Sequence, residues 1–487
     1  MSAVLLARPS ALTGLQQHAV AAGPITALVN TVMAIAMALH PPTDPDLGWH
    51  LRSGLQILST HCVPTTDFIS FTAAGHNWFA NEWLWDAVIA QLAIIGGIAA
   101  LVAVPALCMG LVSVFVFLTA RGRQLPPLAA CTAMAIAMIN LKPTVDVRPA
   151  LTGAVLTAAF IWTLERRRTS LCSGVALVAL ELLWTNLHGS FPIGIAILAL
   201  YSFEFRDLSP FRLRPIPGRL LITLAAATVT LVNPRGPSLW GFVVSASRLP
   251  FNQLIEAWRP LDPRSGSVAF TTATLALIVT CIPFAVRNGR LRACTPQALI
   301  LFVASTAAMI HSLEFLPVFA VAAAPVVPAL LPASLNGGLH PTLPRWEAAL
   351  VLIAGFGLAS GAMMSLTPSR YAHAQAKTFP VHAAAAIKAL GPSVGPMFNF
   401  FNWGGFLAGE LPSVPIFVDS RTEMYPPQVL SDYVHAVRGD ASVLDRYPVK
   451  LALIDSGSPL DQALAQAPSW KRLYYDDQAT AYERQSQ

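Results

Sequence analysis

The chain has 487 residues, of which 54% are hydrophobic and 11% charged, with a net charge of +6 at pH 7 and a mean hydropathy of +0.57. Soluble domains carry about 25% charged residues, so most of this chain must face lipid. The positive charge is no nucleic-acid footprint, because the basic residues sit in short loops between apolar runs, and the six cysteines include no CxxC pair that would suggest zinc or redox chemistry.

In chain order, apolar runs long enough to span a bilayer, about 20 residues, fall at 24–40, 98–120, 125–141, 149–165, 170–187, 189–205, 219–233, 268–286, 295–312, 314–331 and 346–366. The first is read as an uncleaved helix, because the leader ahead of it is long and carries only Arg8, unlike the basic head of a signal peptide. Residues 82–95 combine Glu82, Asp86 and Gln91 with Trp83, Leu84 and Trp85, the mixture of an interfacial helix. With that helix lying on the surface, Arg121, Arg123, Arg166–Arg168, Arg206, Arg212, Arg214, Arg219, Arg287, Arg290, Arg292 and Arg345 all fall on the cytoplasmic side. The expected architecture is an α-helical polytopic membrane protein with about eleven spans. Its helical domain is 1–366, with a long first outer loop at 41–97, and a small C-terminal α/β domain lies outside the membrane at 367–487.

This topology gathers the unusual polar residues on the outer side. The sharpest group is Asp44-Pro45-Asp46, directly after the first run and followed by Trp49-His50. Two carboxylates at that spacing suit either a divalent cation such as Mg or Mn facing a phosphate, or one acting as a base for an attacking hydroxyl. Asp46 is the favoured base, one turn from His50 if a helix begins there. Lys142, Arg148 and Arg259 are candidates for phosphate binding, with interfacial anchoring as the alternative for the arginines. His50 and His188 are candidate proton carriers, or else imidazoles bonded to backbone carbonyls. Glu82 either joins the site as a metal or substrate ligand or caps its own helix. Trp78, Trp83, Trp85 and Trp258 line a sugar cleft or form an interfacial belt.

An acidic pair opening a long outer loop after the first span, then an interfacial helix, resembles the GT-C superfamily of membrane glycosyltransferases. The stretches DPDLGWHLRSGLQIL, VPTTDFISFT, NEWLWD, VRPALTG, WTNLHGSFPIG, LVNPRG, FNWGGFLAGELP and IFVDSRTEMY are similar to a widespread bacterial branch of it. The resemblance implies transfer of a sugar from a polyprenyl-phosphate donor to a lipid, glycan or protein acceptor at the outer face of a bacterial plasma membrane. It also implies that Asp44 or Asp46 is the first-loop acidic residue of the superfamily.

The tail alternates short apolar runs with a helical segment. Ile416–Val418 and Leu451–Ile454 read as strands, 429–438 as a helix, and Arg472–Tyr475 with Thr480–Glu483 as a hairpin turned at Asp476-Asp477. Asn402-Trp403-Gly404-Gly405 and Asp419-Ser420-Arg421 are either acceptor contacts or a glycine turn and a strand-end ion pair. No GxGxxG, Walker A, GxSxG or HExxH pattern occurs. The competing readings are a transporter or flippase for a lipid-linked glycan and a non-catalytic assembly protein. Transporters place charge and broken helices at mid-membrane, whereas here the charge lies at helix ends.

Overall fold

In a computed structural model of the chain, residues 27–123, 125–166, 170–205, 213–289, 291, 294–330, 367–391 and 394–485 are described. The predicted span 346–366 and Arg8, Arg167, Arg168, Arg206, Arg212, Arg290, Arg292 and Arg345 lie outside them.

Every other predicted span coincides with helix, but several of the helices are shorter than the apolar runs. Two, Trp83–Gly122 and Gly266–Arg287, are long and apolar enough to cross a membrane. Others, including Ala150–Leu164, Leu171–Leu187, Pro192–Tyr201, Pro217–Val229 and Pro296–His311, have 10–17 residues. At about 1.5 Å per residue these reach roughly 15–26 Å, short of a hydrocarbon core of about 30 Å. Prolines at two helix starts, Pro192 and Pro296, set those ends inside the apolar runs. The run 314–331 is interrupted, giving Leu316–Ala323 and Val327–Leu330. All eight residues of Leu316–Ala323 are buried, and this short helix packs among 127–141, 150–164 and 296–311. Outward-facing Ile95, Leu171, Val175, Leu221, Val279 and Val303 are each more than half exposed, a surface that water would penalise and lipid accepts. The segment after 217–229 also holds an apolar helix, Ser238–Ala246.

The bundle has two chemically different ends. At one, Glu165 receives a bidentate pair from Arg123 (Nε 3.1 Å, Nη2 2.7 Å) and the Tyr201 hydroxyl at 2.5 Å, while Arg219 donates to the Tyr201 and Leu164 carbonyls. Helix ends from four segments are thereby tied at a basic pole. Three of these segments, Trp83–Gly122, Ala150–Leu164 and Pro192–Tyr201, begin at the other end next to Glu82, Arg148 and His188.

Trp83–Gly122 is broken at Gly97 (φ 58°, ψ −145°). This left-handed conformation is cheap only for glycine, so residues 83–96 take a direction of their own. They pack against the first-loop helix Leu47–Thr60 through buried Trp85, Asp86, Ile89 and Ala90.

The C-terminal residues form a sheet in the order Met397–Asn399, Leu451–Asp455, Ala479–Arg484, Trp470–Tyr475, with the first pair parallel and the others antiparallel. The hairpin closes on Asp476, whose Oδ1 accepts from the Gln478 and Ala479 amides at 2.9 and 2.7 Å. Of the expected strand at 416–418 only Ile416 bridges, to Met397 and to Ser70. The Asn399 side chain takes the Phe417 and Val418 amides instead and donates to the Val418 carbonyl, so a side chain replaces the ladder. Ser70 belongs to the first outer loop. Trp49, Ile69, Ala73, Trp78 and Ala80 of that loop share one core with Phe398, Leu407, Phe417, Tyr433 and Leu453. Loop and C-terminal region are therefore one packed body.

Candidate active site

Asp44-Pro45-Asp46 makes a tight turn in which Asp44 Oδ1 accepts the Asp46 amide at 2.9 Å. The helix begins at Leu47, so His50 stands one turn from Asp46 and donates its amide to the Asp46 carbonyl at 3.1 Å. Asp46 does not cap this helix with its side chain; its Oδ1 accepts a 2.5 Å bond from the Ser420 hydroxyl. The other oxygen of Asp44 faces Arg148 Nε at 3.4 Å, and that nitrogen makes no hydrogen bond.

Deeper in, His50 Nδ1 lies 2.6 Å from Asp86 Oδ1, with both residues buried, and its Nε2 lies 3.9 Å from Glu82. Glu82 is 3.4 Å from His188 Nε2, which is 3.7 Å from Glu314. The tautomer of His188 follows from its neighbours. Trp184 Nε1 donates to Ser190 Oγ at 3.0 Å, leaving the Ser190 hydroxyl to donate to His188 Nδ1 at 2.7 Å. The proton of a neutral His188 therefore sits on Nε2, aimed at the two glutamates.

Electrostatics grade these groups. Burial pushes Glu82 up to about 8 despite the opposing His50, and Glu423 up to about 7. Burial, then Arg148 and His50, brings His188 down to about 3. For His50 burial works against the charge, but Asp86 and Glu82 outweigh it and raise the pKa. Burial also raises both Asp44 and Asp46, each reinforced by a neighbouring carboxylate. Near neutral pH the site thus holds a protonated Glu82 beside a neutral His188.

These groups surround a cavity of about 880 Å³. One wall is apolar, with Phe242, Val243, Ala246 and Leu249, and Ser420, Arg421, Thr422 and Glu423 of the C-terminal region form another. Asp44, Asp46, His50, Glu82, Arg148 and His188 all line it, as do Trp78 and Trp258. Lys142 and Arg259 do not. Lys142 is exposed with its ammonium 6.0 Å from the Phe270 ring centre, and Arg259 spends its guanidinium on the Gln253 and Leu254 carbonyls. Trp83 and Trp85 are also absent from the lining; Trp83 donates to Asn186 at 2.8 Å and Trp85 is buried. Asp86 and Glu423 enter the site without having been singled out for it. Glu314 also lines it and carried a signal, a carboxylate in a tight turn between apolar helices. Ser420, in the stretch Asp419-Ser420-Arg421 read as an acceptor contact or a strand-end ion pair, lines it too, and its bond to Asp46 had no signal in the sequence. Among the described residues no three His, Cys, Asp or Glu side chains are placed to hold a metal ion together.

At the level of sequence, no family model and no curated protein matches the chain. At the level of fold it is similar to ArnT from Cupriavidus metallidurans bound to undecaprenyl phosphate, with 16% identity, TM-score 0.54, and 94% of this chain and 97% of that chain covered. It is similar to the same protein in the apo state, with 16% identity, TM-score 0.53 and coverage of 97% and 98%. A third likeness is to the archaeal oligosaccharyltransferase AglB from Archaeoglobus fulgidus, in complex with an inhibitory peptide and a dolichol-phosphate, with 12% identity, TM-score 0.53 and coverage of 88% and 69%. The chain therefore shares its fold with ArnT and AglB.

Proposed function

We propose that the chain is a membrane glycosyltransferase that moves a sugar from a polyprenyl-phosphate donor to a lipid, glycan or protein acceptor. The observation that carries this reading is Asp46 and Arg148 facing one large cavity with an apolar wall, in a fold shared with proteins solved with undecaprenyl phosphate and dolichol-phosphate. The apolar wall suits an isoprenoid and the carboxylate-rich wall suits hydroxyl groups.

Asp46 is the base. Asp44 is committed to the Asp46 amide and to Arg148, whereas Asp46 has one oxygen held by Ser420 and the other left for substrate. It takes the proton of an acceptor hydroxyl as that oxygen bonds to the anomeric carbon. The anomeric carbon–oxygen bond to phosphate breaks, and the polyprenyl phosphate leaves with the bonding electrons, steadied by the Arg148 guanidinium. The raised pKa of Asp46 makes it a stronger base than an exposed aspartate. A divalent cation, where used, would have two protein ligands here, Asp44 and Asp46, and would take the others from phosphate and water.

The positive-inside rule supports placing the basic pole of Arg123 and Arg219 in the cytoplasm and the cavity and C-terminal region outside. The purified protein is expected to bind undecaprenyl phosphate, and Arg148→Ala to weaken that binding about tenfold or more, the weight of one charge-assisted bond. Unchanged binding removes Arg148 from the phosphate site.

A further inference from the structure

Ser420 is separated from Asp46 by 374 positions, yet its hydroxyl donates to Asp46 Oδ1 at 2.5 Å and accepts from Trp49 Nε1 at 3.1 Å. With the indole on its lone pair, the hydroxyl proton has one outlet, the carboxylate.

The segment that carries Ser420 is fixed on both sides. Asp419 and Arg421 are buried and clamp each other, Arg421 Nε at 3.0 Å and Nη2 at 2.5 Å from the carboxylate. Arg421 Nη1 reaches Asp67 of the first loop at 3.1 Å, and the guanidinium lies 4.5 Å from the Trp78 ring centre and 5.5 Å from that of Trp49. The Asp419 amide donates to the Tyr425 hydroxyl, and the Thr422 amide to the Ser420 carbonyl. Ser420 is thus held by an ion-paired and hydrogen-bonded frame, which is how a rigid support orients a reacting group.

The helix bearing Asp46 is seated on the same region. Gly48 meets Gly405 so closely that a Cβ on Gly48 would stand 2.2 Å from the Gly405 carbonyl oxygen, and a Cβ on Gly409 would stand 2.9 Å from the Gly48 Cα. Both the backbone and the carboxylate of Asp46 therefore take their positions from the C-terminal region.

We propose that Ser420 is a positioning residue for Asp46, and that the site is complete only with the C-terminal region docked on the first outer loop. This inference rests on the glycosyltransferase reading. Ser420 fixes which carboxylate oxygen faces the cavity, and without it the group swings between rotamers.

The test uses the full-length chain in a strain lacking its own copy. The readout is the rate at which the sugar-bearing product appears by mass spectrometry, per molecule of protein, for wild type, Asp46→Asn, Ser420→Ala and Ser420→Thr. Asp46→Asn is expected to stop product. Ser420→Ala is expected to slow it about 10- to 100-fold, the effect of a misplaced reacting group. Ser420→Thr keeps the hydroxyl and is expected to recover most of the rate. If Asp46→Asn stays active, the glycosyltransferase reading fails and takes the proposal with it. If Asp46→Asn is inactive but Ser420→Ala matches wild type, or Ser420→Thr is as slow as Ser420→Ala, only the proposal fails. Melting of the purified variants separates folding from positioning. The effect of Ser420→Ala on melting should largely vanish in an Asp46→Ala background, and persistence of the full effect there overturns the contact itself.

Discussion

Replacing Gly405 by alanine sets a helix-propensity gain against a collision. In an unobstructed helix the change stabilises by about 1 kcal/mol. Gly241, inside the helix Ser238–Ala246, is such a position, with no heavy atom within 4 Å of an added Cβ. At Gly405 the new methyl would fall 2.2 Å from the Pro45 carbonyl oxygen, 2.9 Å from Trp49 Cδ1 and 3.0 Å from the Asp46 Cα. Two of those three are backbone atoms that cannot rotate away. The helices at 47–60 and 404–410 must part by about 1 Å, at the overpacking cost of about 1–3 kcal/mol. Because the displaced backbone is that of Asp46, product formation should also fall, by up to about 100-fold for a shift of that size. Thermal melting of the purified full-length protein reads the first effect. Gly405→Ala should melt below wild type and Gly241→Ala at or above it. A Gly405→Ala protein as stable as wild type would refute the close crossing of the two helices.

Glu82, with a pKa near 8 in the fold, binds a proton there that the unfolded chain releases near its ordinary value of 4.5. Its contribution to stability is therefore full below about pH 4.5 and lost as pH rises toward 8. Glu82→Gln, which mimics the protonated acid, should flatten this part of the melting-temperature profile; an unchanged pH dependence contradicts the assignment. Since the described residues gather no three-ligand cluster and Asp44 already faces Arg148, the free protein should not take up Mn2+ stoichiometrically in equilibrium dialysis. Stoichiometric uptake without donor phosphate contradicts this reading of the acidic pair.

What the sequence made legible was local. Asp46 and His50 are one helical turn apart, so their juxtaposition can be read along the chain, and His188 stands out because it interrupts two apolar runs. The strand 451–455 and the hairpin were readable from short apolar runs and an aspartate turn. The strand Met397–Asn399 was not, because Met397-Phe398-Asn399-Phe400-Phe401 shows no alternation. Residue type alone could not separate Arg148 from Lys142 and Arg259: all three are cations at helix ends, and only the fold shows which one faces the carboxylates. Hydropathy counted apolar residues and not helix ends, so it overstated the lengths of several helices. Ser420 and Gly405 lie in stretches read as acceptor contacts or as a turn and an ion pair, but their contacts with Asp46 and Pro45 cross most of the chain and cannot be read locally.

The central claim is that Asp46 carries sugar transfer in the cavity. It is tested most directly in a strain lacking its own copy, complemented with wild type, Asp44→Asn or Asp46→Asn at matched protein levels, with lipid-linked sugars and envelope glycans compared by mass spectrometry. The account predicts that Asp46→Asn loses a sugar that wild type restores, with the missing mass identifying what is transferred. Full restoration by both variants would contradict it and favour a transporter or an assembly protein.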